Sequence, residues 1–114
     1  VEFRSSGGGY ANVTAREFLP MSDRNIKENI RNYSGNAIDL INKTRVCKYN
    51  FIDDPTQEEK IGIIYQEAPK EVTTKGSKSI NLYSMATLSW KAIQEMYIMI
   101  ENLQQEIKGL KEKK

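Results

Sequence analysis

The sequence predicts an α+β fold: a small antiparallel sheet with a short helix, and a long C-terminal helix that self-associates as a coiled coil. Three observations carry this expectation. Residues 84–113 contain no proline and a single glycine; Ile93, Met96, Ile100, Leu103, Ile107 and Leu110 recur with a seven-residue period; and two short β-like segments, 46–52 and 60–65, come before them. With 114 residues, 39% hydrophobic and 28% charged, the chain has room for one small core and not for two.

In chain order, residues 1–21 hold the run Ser5-Ser6-Gly7-Gly8-Gly9 and then the β-like Tyr10-Ala11-Asn12-Val13-Thr14. This stretch reads as the end of a preceding module, and a start at Val1 reads as a piece of a longer polypeptide. Leu19-Pro20-Met21 is a boundary, because Pro20 fixes its own φ and drives Leu19 toward extended geometry. A domain of 22–114 therefore follows. Ala37, Ile38, Leu40 and Ile41 have helical spacing after Ser34-Gly35, which predicts an amphipathic helix over 36–44.

Segment 46–52 alternates, with Cys47, Tyr49 and Phe51 on one face, Lys48 and Asn50 on the other, and Asp53-Asp54-Pro55-Thr56 turning the chain. Segment 60–65 is near enough to pair with it, and Ile80-Asn81-Leu82-Tyr83 offers a third strand after the polar loop 70–79. The helix over 84–113 is about 45 Å long at 1.5 Å per residue. With Ile93, Ile100 and Ile107 at position a, residues Met96, Leu103 and Leu110 fall at d, while Tyr97 at e and Met99 at g widen the apolar face. Spacing leaves two and three strands both open. The competing placement, with the seam packed on the chain's own body, conflicts with the polar character beyond Leu103.

Seventeen basic and fifteen acidic residues give a net charge of +2 with no concentrated basic surface, so a nucleic-acid role is not indicated; nor is a membrane role, for want of a long uncharged apolar stretch. No histidine and one cysteine, Cys47, exclude a Ser-His-Asp triad, a His-paired cysteine nucleophile, a four-ligand zinc site and an internal disulfide. The lone thiol suits a reducing compartment. Catalysis in this chain must use Ser, Lys, Asp, Glu or Tyr.

Such residues are dense only in Ser22-Asp23-Arg24-Asn25-Ile26-Lys27-Glu28-Asn29-Ile30. A serine hydroxyl needs a base, and a lysine serves when its ammonium is destabilised by burial or by a neighbouring cation such as Arg24. The plainer structural reading makes Ser22 a helix N-cap with Asp23 in the first turn and Lys27 on a solvated face. Residues five apart lie about 140° apart around a helix and on opposite faces of a strand. Ser22 and Lys27 therefore meet only through a bend between them or through a lysine from another chain.

This nonapeptide resembles the opening motif, Ser-Asp-x-Arg-x-Lys-x-Asn-Ile, of the intramolecular chaperone domains at the C-termini of phage endosialidases, tail spikes, neck appendages and fibres, also known in metazoan myelin regulatory factors. The resemblance continues through Ala37-Ile38-Asp39-Leu40-Ile41, the segment 46–51, Gly62-Ile63-Ile64-Tyr65-Gln66-Glu67 and Leu82-Tyr83-Ser84-Met85, and covers about residues 22–107. Tyr65 stands where the family usually has alanine, and Asn25 and Ile26 depart from it within the motif.

The resemblance implies a parallel homotrimer that helps an upstream fibre or tail spike of the same polypeptide to fold, then releases itself by cutting Met21–Ser22. Ser22 would be the nucleophile and Lys27 its partner, with Asp23, Gln66 and Glu67 supporting; Gln66 and Glu67 would orient the site or stabilise an oxyanion. No cofactor is implied. The setting would be the host cytoplasm during virion assembly, with the upstream product in the virion tail or appendage. Given the spacing of Ser22 and Lys27, cleavage is expected to depend on assembly. Two other readings remain: a trimerisation or capping module without cleavage, and a coiled-coil adaptor anchored by Trp90 and Tyr97, although those aromatics are expected to pack on the chain's own body.

Overall fold

The computed structural model describes Phe3 and residues 9–113. The chain divides into two compact units, Val1–Asn32 with Tyr49–Lys60, and Tyr33–Lys48 with Ile61–Lys114. Among the described residues the buried side chains, Ala37, Val72, Leu88 and Ala92, all belong to the second unit, where Ile38, Leu40, Ile63 and Ala68 pack around them.

Two helices organise that core: α1, Ala37–Asn42, and α2, Leu82–Glu112. Helix α1 is short and would be marginal alone. It buries Ala37, and its first amides are satisfied from both sides. The Asn36 side chain accepts from Asp39 N at 3.0 Å. The Glu95 carboxylate of α2 accepts from Ala37 N and Ile38 N, each at 3.0 Å. An anion at the positive end of α1 thereby ties it to the long helix. The backbone amides hold the Glu95 carboxyl below the ordinary glutamate range, Ile38 first and Ala37 second.

Strands β1, Cys47–Tyr49, and β2, Lys60–Gly62, form a two-stranded sheet. The expected alternation holds in β1, where Cys47 and Tyr49 are half-buried and Lys48 is exposed. Both strands are shorter than expected. Phe51 lies past the end of β1, edge-on to the Tyr49 ring with centroids 5.3 Å apart, and the chain after β2 enters a 3₁₀ turn at Tyr65–Glu67.

The third expected strand is absent among the described residues. Ile80 makes only an isolated bridge to Thr73, and Leu82 and Tyr83 already belong to α2. The reason is local: the Asn81 side chain accepts from Ser84 N at 3.0 Å, so α2 starts at Leu82. At the N-terminus Ala11 N donates to Phe3 O at 3.0 Å; of the expected β-like segment Tyr10 to Thr14, Tyr10 forms a single β-bridge and residues 11–14 form no strand. Ser5 to Gly8 of the expected flexible run, and Lys114, lie outside the described residues.

Helix α2 carries two distinct stripes. Leu88 and Ala92 are buried in the core, and Glu95 continues their spacing toward α1. The seam of Ile93, Met96, Ile100, Leu103, Ile107 and Leu110 lies about a quarter turn away. All six seam residues are open to solvent in the single chain, from 45% exposed at Met96 to 65% at Leu110. The placement of this seam on the chain's own body is thus overturned. Trp90 and Tyr97, 70% and 63% exposed, likewise do not pack there. Among the described residues no helix is long and apolar enough to cross a membrane.

Candidate active site

Met21 and Ser22 are exposed and lie outside regular structure. The chain then enters a 3₁₀ turn, Arg24–Ile26, with Asp23 at its N-cap. Ser22 is therefore not the cap that the plainer reading made it. The Asp23 side chain accepts from Asn25 N at 3.0 Å, its carbonyl from Ile26 N at 3.2 Å, and the Arg24 carbonyl from Lys27 N at 3.1 Å. Lys27 leaves the turn in extended geometry, φ −119° and ψ 151°. This is the bend that neither a helix nor a strand supplies.

Its result is a direct contact: Lys27 Nζ donates to Ser22 Oγ at 2.6 Å. A charged donor and a hydroxyl at this separation form a short, charge-assisted hydrogen bond. The two groups that spacing left for a bend or a second chain to unite are within reach of each other in one chain. Chemically, the same axis carries a proton from Oγ to Nζ once the amine is neutral. Both residues are exposed to solvent in the single chain.

Glu67 and Gln66 belong to the second unit, in the 3₁₀ turn Tyr65–Glu67, and both are exposed. Glu67 is engaged by Arg45 through two bonds, Nε to Oε1 at 3.0 Å and Nη2 to Oε2 at 2.8 Å. That fork holds the Glu67 carboxyl below the ordinary range, chiefly through the hydrogen bond from Arg45. An ionised carboxylate accepts only, whereas the Gln66 amide can donate to an oxyanion. Arg45, which sequence reasoning passed over, carries no local signal of its partnership with a residue 22 positions away. Asn29, just past Lys27, has φ 55°, a left-handed backbone, and its carbonyl accepts from Arg31 Nη1 at 2.9 Å.

Among the described residues no group of three or more His, Cys, Asp or Glu side chains converges as a metal site. Residues 22–77 match the model of a peptidase family described as chaperone of endosialidase. The match opens at Ser22, the residue that Lys27 contacts. No curated protein and no solved structure matches the chain.

Proposed function

We propose, from the match of residues 22–77 to the chaperone-of-endosialidase family model, that the chain belongs to that family and is a self-cleaving assembly domain. It trimerises through the α2 seam, supports folding of a fibre or tail spike upstream in the same polypeptide, and then cuts Met21–Ser22. The observation that carries the reading is the 2.6 Å contact of Lys27 Nζ with Ser22 Oγ.

In the proposed reaction the neutral Lys27 amine takes the Oγ proton as Oγ attacks the Met21 carbonyl carbon, closing a five-membered ring. The C–N bond then breaks, the proton passes to the α-nitrogen of Ser22, and Met21 is left as an ester on Oγ. Water hydrolyses that ester, leaving the Met21 carboxylate and a free Ser22 hydroxyl and amine. Attack within one residue pair is already positioned, so its entropic barrier is small. No separate substrate pocket is needed, and each molecule turns over once.

The contact found in one chain supports a serine and lysine of the same subunit. It thereby favours the bend over a lysine from a neighbour. The expected dependence on assembly then takes a different form. In the single chain Lys27 Nζ donates to an exposed Oγ, and assembly would act by covering the pair and excluding water. Trimerisation is supported by the seam: six apolar side chains at heptad spacing, exposed in the single chain, lose water by meeting the same stripe on other copies. Tyr97 and Met99 beside that seam broaden it toward three strands. The setting we propose is virion assembly inside the host cell, the upstream product going to the tail or appendage.

Intact-mass measurement after folding tests the reaction. The wild-type chain separates at Met21–Ser22, and Ser22→Ala stays whole while retaining its circular-dichroism spectrum, because alanine removes the hydroxyl without adding bulk. Cleavage of Ser22→Ala at the same bond would remove Ser22 as nucleophile. A wild-type chain that folds, trimerises and stays whole would favour the module without cleavage.

A further inference from the structure

We propose that Asp23 and Asn29 are positioning residues for the cleavage, Asp23 capping the turn that folds Lys27 back onto Ser22 and Asn29 redirecting the chain two residues beyond Lys27. The inference rests on the self-cleavage reading and assigns Asp23 a role through its capping oxygen, independent of its charge.

Five extended residues span about 17 Å, too far for a lysine stem to reach back to its own serine. The Arg24–Ile26 turn shortens that path, yet a single 3₁₀ turn exposed to water has little intrinsic stability. Of its three hydrogen bonds, two are backbone to backbone. The third, from Asn25 N to Asp23 Oδ1 at 3.0 Å, is the one that a side chain controls. Asp23 lies next to the nucleophile, so the cap fixes the turn where Ser22 enters it.

Two residues past Lys27, which closes the turn, Asn29 has φ 55°. An L-residue pays for that conformation through its Cβ, asparagine less than most and β-branched residues most. Arg31 Nη1 donates to the Asn29 carbonyl at 2.9 Å and holds the reversal. The chain beyond Lys27 is thus turned sharply instead of running on extended.

A carboxylate beside a lysine invites another role, that of a charge acting on the ammonium, and substitution separates the two. Asp23→Asn keeps an acceptor oxygen at the cap and loses the charge; Asp23→Ala loses both. Loss of a typical cap changes a local equilibrium by about fivefold. Asp23→Ala should therefore slow cleavage about fivefold, with Asp23→Asn and Asp23→Ser within about twofold of wild type. Asn29→Gly should keep the rate, while Asn29→Val should slow it by at least about tenfold. The midpoint of the pH–rate profile should stay in place throughout, because the fraction of folded turns changes and not the groups that titrate.

The experiment follows cleavage of the full chain and its variants by intact mass across pH. In parallel, nuclear Overhauser contacts between the Lys27 ε-methylene and the Ser22 β-protons are recorded for each. Fading of that contact in Asp23→Ala and Asn29→Val, with its retention in Asp23→Asn and Asn29→Gly, is the expected result. If Asp23→Asn is as slow as Asp23→Ala and the profile moves, Asp23 acts by charge and the inference is overturned. An undiminished contact in Asp23→Ala overturns it as well. Should the wild-type chain not cut at all, the self-cleavage reading fails, and the contact measurements still decide what Asp23 and Asn29 hold in place.

Discussion

Within α2 the first half is held by its own chain: Leu88 and Ala92 are buried in the core and Glu95 takes two amides of α1. In the second half Ile100, Leu103, Ile107 and Leu110 repeat just as regularly, yet all four are exposed. Helical propensity alone does not separate the halves, since both are rich in residues that favour a helix. The difference is in what covers the apolar stripe. A helix this long gains most of its stability from packing; the first half finds it within one subunit, and on the proposed reading the second finds it by association. The Ser22–Lys27 segment makes a third case, a contact built from local hydrogen bonds with no buried side chain in its 3₁₀ turn.

The change expected to break this contrast most completely is Ile100→Asp. Three carboxylates brought into one desolvated seam repel one another and have no partner. Sedimentation at micromolar concentration should move from trimer to monomer, while the methyl resonances of the core around α1 keep their dispersion. A variant that remains trimeric would show that the seam is not the interface. A wild-type monomer would remove the association altogether, and a wild-type dimer would mean that isoleucine at a with leucine at d prevails over the widened face.

Leu88→Ala probes the opposite half. Emptying a buried leucine site costs about 2 to 5 kcal/mol, read as a lower urea midpoint for loss of the α1–α2 core. Its effect should fall on the stability of the subunit more than on the geometry of the seam. A change below about 1 kcal/mol would mean that this core relaxes to fill the gap.

The smallest effect should come from acid. Glu95 has its carboxyl lowered by the Ile38 and Ala37 amides. Its folded state thus binds the proton less readily than the unfolded chain. The stability it contributes is fully present above the ordinary glutamate range and is lost as pH falls through the lowered value. Melting temperature should decline on acidification through and below that range, and Glu95→Gln should flatten this part of the profile. An identical acid profile in Glu95→Gln would place the sensitivity in other carboxylates.

How far these regions can be read from the sequence follows the range of their interactions. The long helix was legible because Ile93 to Leu110 repeat a period that no strand shares. Its start was not: Ile80-Asn81-Leu82-Tyr83 alternates like a strand, and only the cap bond from Ser84 N to Asn81 decides for a helix. The short helix was placed correctly from its apolar spacing, but its tie to Glu95 joins residues 58 apart and leaves no mark in either segment. At the candidate site the chemistry was legible as residue types and the geometry was not. A three-residue 3₁₀ turn has no periodicity to detect, and Asp23 as its cap shows only as one acidic residue beside a serine. Arg45 with Glu67 is hidden for the same reason as Glu95: the pairing is made by the fold.

The central claim is that serine and lysine of the same subunit cut the bond. The most direct measurement is to refold wild-type chains together with Lys27→Ala chains, isolate mixed trimers, and weigh each species. Their substitution distinguishes the two chains by mass, and the wild-type chain serves as the internal standard for an active assembly. The account predicts that wild-type chains in these trimers separate at Met21–Ser22 while their Lys27→Ala neighbours remain whole. Lys27→Ala chains cut in mixed trimers, but not when folded alone, would show that a neighbouring subunit supplies the lysine and would contradict it.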